Sequence, residues 1–105
     1  MTSSLRADAQ TIIEAALAAA QPHAAVTKAL EDFAPGDGGR VVLVAVGKAA
    51  YAMAQAACAI LGSRIDRGIV ITKYGHTGPA LPGILLREAG HPVVDENGVR
   101  ATREA

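Results

Sequence analysis

The stretch VVLVAVGKAAYAM, Val41 to Met53, decides how the chain is read. It opens as a continuous apolar, largely β-branched run with no polar alternation, the pattern of a strand covered on both faces in a parallel sheet. One glycine and one lysine follow, Gly47 and Lys48, and then helix-forming residues from Ala49 to Leu61, closed by Gly62 at the C-cap position. A strand that turns into a helix across Gly-Lys is half of a βαβ unit. The other half is GIVITKY, Gly68 to Tyr74, a second β run. Strand, helix and strand fall within about thirty residues, so the two strands are expected to be parallel, with a right-handed crossover.

Working outward, Leu5, Ala9, Ile12, Ile13, Ala16, Leu17 and Ala20 recur at helical spacing, with Ser3 or Ser4 as the candidate N-cap. Pro22 to Phe33 reads as a second helix, with Pro at its first position and Val26, Leu30 and Phe33 on one face. APGDGG ends it, and the first strand is expected over Arg40 to Val46. Beyond the βαβ unit, GHTGPALPG is a loop, ILLRE (residues 84–88) a third strand and AGHPVVDENG a second loop. VRATREA then begins a helix capped by Asp95 or Asn97. The expected organisation is two leading helices over 1–35, the βαβ unit over 40–74, and a third strand, loop and helix start over 75–105. A three-stranded parallel sheet leaves long edges unpaired, so the chain is expected to be a fragment of a larger domain. TKYGHTGP and REAGHPVV share a Gly-His after a strand end, which is too little for a repeat.

Composition narrows the function classes. Ten basic and ten acidic residues cancel, which argues against nucleic acid or an anionic membrane surface as partner. A single cysteine, Cys58, excludes an internal disulfide and fits a reducing compartment, the cytoplasm by default; among alanines it reads as a small packed hydrophobe. No Cys/His cluster suggests zinc, and Asp8, Gln10 and Glu14 interrupt the N-terminal apolar tract, so neither a signal peptide nor a spanning helix fits.

The residues that could carry chemistry converge on one rim. If the strands are parallel, Gly47-Lys48, Lys73 to Gly78 and Glu88 to Asp95 all follow carboxyl ends, the edge where open α/β sheets bind ligands. Lys48 in the opening turn of a helix sits against the positive end of its dipole, an unfavourable term of roughly 0.3–1 kcal/mol that a bound anion would reverse. Backbone amides at the same helix start would add donors; the plain alternative is a lysine that snorkels to solvent. Gly47-Lys48 is not a phosphate loop of the named kinds, because Walker A would need Gly at Val42 and Ser or Thr at Ala49. His76 and His91 sit in glycine-bordered loops where a ring could donate to a substrate oxyanion or bond a neighbouring carbonyl. Asp95 either binds a hydroxyl or metal ion or caps a helix. Lys73 is either a second anion contact or a strand-end charge.

Three ordered segments carry a family resemblance: VVLVAVGKAAYAMAQAA, RGIVITKYGH and EAGHPVVDENG. With the leading R…A…I…AAL.AA.P..AV they resemble the N-terminal part of the type-2 glycerate kinase family, also called the MOFRL family, whose members often carry the name hydroxypyruvate reductase. The resemblance implies a Rossmann-like α/β parallel sheet with flanking helices, here incomplete, facing a second domain across a cleft. It implies ATP-dependent phosphorylation of D-glycerate to 2-phosphoglycerate, with ATP and Mg2+, by the full-length protein. The family's active-site lysine in VGKA corresponds to Lys48, and its GHP segment, which lines the cleft, to Gly90, His91 and Pro92. The expected substrate-binding set is therefore Gly47, Lys48, His76, Gly90, His91, Pro92 and Asp95, with Lys73 as a further anion contact and no metal ligand assigned. Where the family usually reads GHPVPD, Val94 replaces the second Pro, which loosens the loop and keeps Asp95. Without the second domain, residues 1–105 are expected to be inactive alone, and a homodimer is a possible assembly. The competing readings are a nicotinamide-dependent hydroxypyruvate reductase, whose glycine fingerprint this segment lacks, and a non-catalytic α/β module.

Overall fold

A computed structural model describes residues 2–105, and of the side chains those from residue 4 onward. Helix α1 spans Thr2–Ala19 and α2 Pro22–Leu30; strand β1 is Val41–Val46, helix α3 Ala50–Leu61, strand β2 Ile65–Lys73, strand β3 Ile84–Ala89 and helix α4 Glu96–Glu104. The three strands form one parallel sheet in the order β1-β2-β3. The fold is α/β, as the βαβ pattern implies. No helix is long and apolar enough to cross a membrane among the described residues.

The sheet carries a helix on each face. Alternation along β2 sends Val70 to one side, where it packs with Ala50 and Ala54 of α3, and Ile69 and Ile71 to the other, against Ala101 of α4 and Ala89. Alanines line both helix contacts, so the helix axes come close to the sheet. Val70 and Ala54 are fully buried at the centre. Gly68 opens this face of β2 and stands in register with Leu43 and Ile84. A methyl group there would lie 2.8 Å from the Leu43 carbonyl oxygen and 2.6 Å from Ile84 Cδ1, so the side chains of the outer strands close over the middle one only because Gly68 has none.

Several boundaries differ from the sequence reading. Helix α1 already includes Ser3 and Ser4, so neither caps it. The apolar positions Leu5, Ile12, Ile13 and Leu17 are helical as expected yet exposed. Helix α2 ends at Leu30 instead of Phe33, and β2 gains Ile65 to Arg67, with an irregularity opposite Val41 and Val42. The larger correction concerns β1. Val41, Leu43 and Ala45 face α3, but Val42, Val44 and Val46 are about half to two-thirds exposed, at 49%, 54% and 68%. The expected double cover fails because α4, the helix on that face, packs mainly on β3 and β2 and leaves β1 largely uncovered.

Overpacking a close site costs about 1–3 kcal/mol. Gly68→Ala in the full-length protein should therefore lower the chemical-denaturation midpoint, with the slope of the transition unchanged. An unaltered midpoint would contradict the packing described for the α3 face.

Candidate functional site at the carboxyl edge of the sheet

Parallel pairing brings the carboxyl ends of all three strands to one edge. At the end of β1 the chain reverses through Gly47, whose φ of +123° favours a residue without Cβ. The Gly47 amide donates to the Ile71 carbonyl at 3.0 Å, and the Ala50 amide donates back to the Gly47 carbonyl at 3.1 Å. This turn delays the helix. Helix α3 starts at Ala50 with Ala49 as N-cap, so Lys48 lies in the turn before the helix and not in its first turn. No side chain caps α3 and no acid stands in its first turn. Lys48 is exposed, and neither it nor Lys73 forms an ion pair among the described residues.

The loop after β2 is held at three points that the sequence reading did not identify. Glu88 Oε1 accepts from the Gly75 amide and from Thr77 Oγ1, each at 3.1 Å. Tyr51 donates its hydroxyl to the Pro79 carbonyl at 2.7 Å, and its ring lies so near Gly78 that a Cβ there would come within 2.7 Å of it. Tyr74 donates its hydroxyl to Asp95 Oδ2 and accepts from Asn97 Nδ2 at 2.9 Å. Aromatic rings at a helix start and a strand end gave no signal in sequence, because their partners lie 21 to 28 residues away. His76 is exposed, with Nδ1 3.3 Å from the Tyr74 carbonyl oxygen.

Asp95 organises the loop after β3. It is the N-cap of α4, Oδ1 accepting from the Gly98 amide at 3.1 Å. Of the two caps the sequence allowed, Asp95 is the one used, and α4 begins at Glu96, ahead of the Val99 start expected. Gly90 is required by close approach, since a Cβ would fall 2.4 Å from the Val93 carbonyl oxygen and 3.0 Å from Asp95 Cγ. The hydrogen bond from Tyr74, then those from the backbone amides, hold the Asp95 carboxyl below its usual pKa. The same bond pushes the Tyr74 hydroxyl up.

A cavity of about 540 Å3 lies along this edge and brings Gly47, Lys73, Gly90, His91 and Asp95 together. Lys48, His76 and Pro92 stand outside its lining, on the exposed rim, and the His91-Pro92 peptide is cis. Most of the lining is apolar, with Val46, Ile71 and Val99 among it.

Because the folded pKa of Asp95 is lowered, its contribution to stability is present above the ordinary carboxylate value and lost as pH falls through the lowered one. Asp95→Asn should be less stable than the parent at neutral pH, with the difference closing in acid. In Tyr74→Phe the Asp95 carboxyl, followed by NMR titration, should move up toward its ordinary value; an unmoved titration would contradict the Tyr74 bond.

With this geometry in hand, comparison with known proteins gives a consistent result. A family model described as a domain of unknown function, DUF4147, matches residues 8–105. The D-glycerate 2-kinase of Thermotoga maritima is 55% identical over 64 residues, which is 61% of this chain and 15% of that protein. A putative hydroxypyruvate reductase of Agrobacterium vitis is 42% identical over 93 residues, 89% of this chain and 20% of its own length. The crystal structure of glycerate kinase from Thermotoga maritima superposes with a TM-score of 0.87 at 43% identity, over 97% of this chain and 24% of that one. The chain thus spans between 15% and 24% of the length of these relatives. On the match of nearly its whole length, the chain belongs to the DUF4147 family, as a segment similar to part of the glycerate 2-kinases.

Proposed function

We propose that the full-length protein carrying this chain phosphorylates D-glycerate to 2-phosphoglycerate at the expense of ATP, and that this segment supplies the acceptor's anion site. The observation that carries the reading is Lys48, an exposed cation without an ion-pair partner among the described residues, beside a helix start that lacks both a side-chain cap and an acid. Its charge is unfavourable there until an anion binds. Phosphoryl transfer depends chiefly on positioning and on cations that offset developing negative charge. In this reading Lys48 holds the glycerate carboxylate or the transferring phosphoryl group. Lys73 and His91 line the neighbouring cavity as further cationic or donor groups, and Asp95 packs closely against Gly90 beside them.

Among the described residues no group of three or more His, Cys, Asp or Glu side chains could hold a metal ion. Asp95 is already engaged by Tyr74 and the Gly98 amide, and Glu88 by the Gly75 amide and Thr77.

The name hydroxypyruvate reductase borne by one relative sets the competing reading. A coupled assay of the full-length protein decides between them. ADP should form with ATP and D-glycerate, while NADH should not be consumed with hydroxypyruvate; the reverse result would overturn the proposal. Lys48→Ala should lower turnover by about a hundredfold or more, the scale of removing one charge-stabilising group at a transition state. Near-normal turnover of that variant would remove Lys48 from the mechanism. Residues 1–105 alone should give no turnover.

A further inference from the structure

The most buried polar side chain at the carboxyl edge is Thr72, the next-to-last residue of β2, 3% exposed. Its Oγ1 is fully enclosed and has no hydrogen-bond partner among the described residues. A buried hydroxyl without a partner is unfavourable, and native structures retain few. Alternation places the Thr72 side chain on the face of Gly68 and Val70, the face covered by α3. Val70 already packs on Ala50 and Ala54, so Thr72, one pleat nearer the carboxyl end on the same face, lies toward the turn that precedes α3, and it also lines the cavity with Gly47, Lys73 and His91. On its other side it stands in register with Glu88, whose Oε1 is occupied by Gly75 and Thr77.

Two independent features thus fall at the same edge of the sheet: an uncapped helix start next to a cation without an ion-pair partner among the described residues, and a buried hydroxyl without a hydrogen-bond partner among them. We infer that Thr72 is a ligand-binding residue, its hydroxyl donating to an oxyanion held by Lys48 at the start of α3. The inference rests on the anion site proposed above and deepens it by naming a second group of that site. The ligand chemistry is a carboxylate or phosphate oxygen. For the enclosed hydroxyl to reach a ligand, the turns on either side of it, at Gly47 and Gly75, must open.

Thr72→Val keeps the shape and removes the hydroxyl. In the full-length protein its thermal midpoint without ligand should equal or exceed the parent's, because no bond is lost. The stabilisation that D-glycerate, ATP with Mg2+, or inorganic phosphate gives the parent should be weakened for at least one of the three. Which one identifies the oxyanion. For that ligand, affinity or kcat/KM should fall roughly tenfold to a hundredfold, the range for one hydrogen bond to a charged group, and Thr72→Ser should recover most of it. Unchanged ligand responses would overturn the inference, as would a lowered midpoint without ligand combined with full ligand response, which would mean that the hydroxyl serves the fold through a buried water. If Thr72→Val does not fold, Thr72→Ala against Thr72→Ser gives the same comparison. Should the parent bind phosphate but neither bind nor turn over glycerate, the kinase reading fails while a Thr72-dependent phosphate response still upholds Thr72. A parent that responds to none of the three overturns both.

Discussion

The hydrogen bond from the Gly47 amide to the Ile71 carbonyl is the constraint on which the rest of the edge depends. It ties the first residue after β1 to β2 at the point where the chain must reverse, and the positive φ of Gly47 makes the reversal without strain. The reversal lays α3 back across β1 and β2, where its small residues allow close contact with Val70. Lys48 is left in the turn with its charge at the rim, and Thr72 lies on the same face as Val70, one pleat nearer that rim. Replacing the turn by a longer one would move the cation, uncover Thr72 and detach Tyr51 from the loop it holds.

The charges at this edge are divided unequally. The two acids, Glu88 and Asp95, spend their oxygens on backbone amides and hydroxyls, and so shape the loops that follow β2 and β3. The two lysines, Lys48 and Lys73, make no ion pair among the described residues. A rim whose acids are engaged internally and whose cations are free favours an anion. Composition hides this, since the chain as a whole is neutral.

Much of this was legible in the sequence, for identifiable reasons. The parallel βαβ unit could be read because a β-branched run, a Gly-Lys turn and an alanine-rich helix are local signals, and both loops were marked by their own Gly and Pro. The Gly90 and Asp95 pair shows the limit. Asp95 was recognisable as a cap, but its bond to Tyr74 joins residues 21 apart that meet only once the sheet forms. Glu88 and Tyr51 were missed for the same reason, and Thr72 because a hydroxyl within a strand resembles ordinary β-propensity. The exposed face of β1 is the opposite case: the apolar run on Val42, Val44 and Val46 is real, and the cover it suggests is not supplied by α4. The match to DUF4147 over residues 8–105 and to a glycerate kinase structure over 97% of the chain agrees with the motif-level resemblance.

The central claim is that the turn at Gly47-Lys48 is where an anionic substrate is held. A crystal structure of the full-length protein with D-glycerate tests it most directly. The account predicts the glycerate carboxylate, or the oxygen that receives phosphate, within hydrogen-bond distance of Lys48 Nζ at the carboxyl edge of the sheet. Glycerate bound in full occupancy elsewhere, with the Lys48 side chain still in solvent, would contradict it.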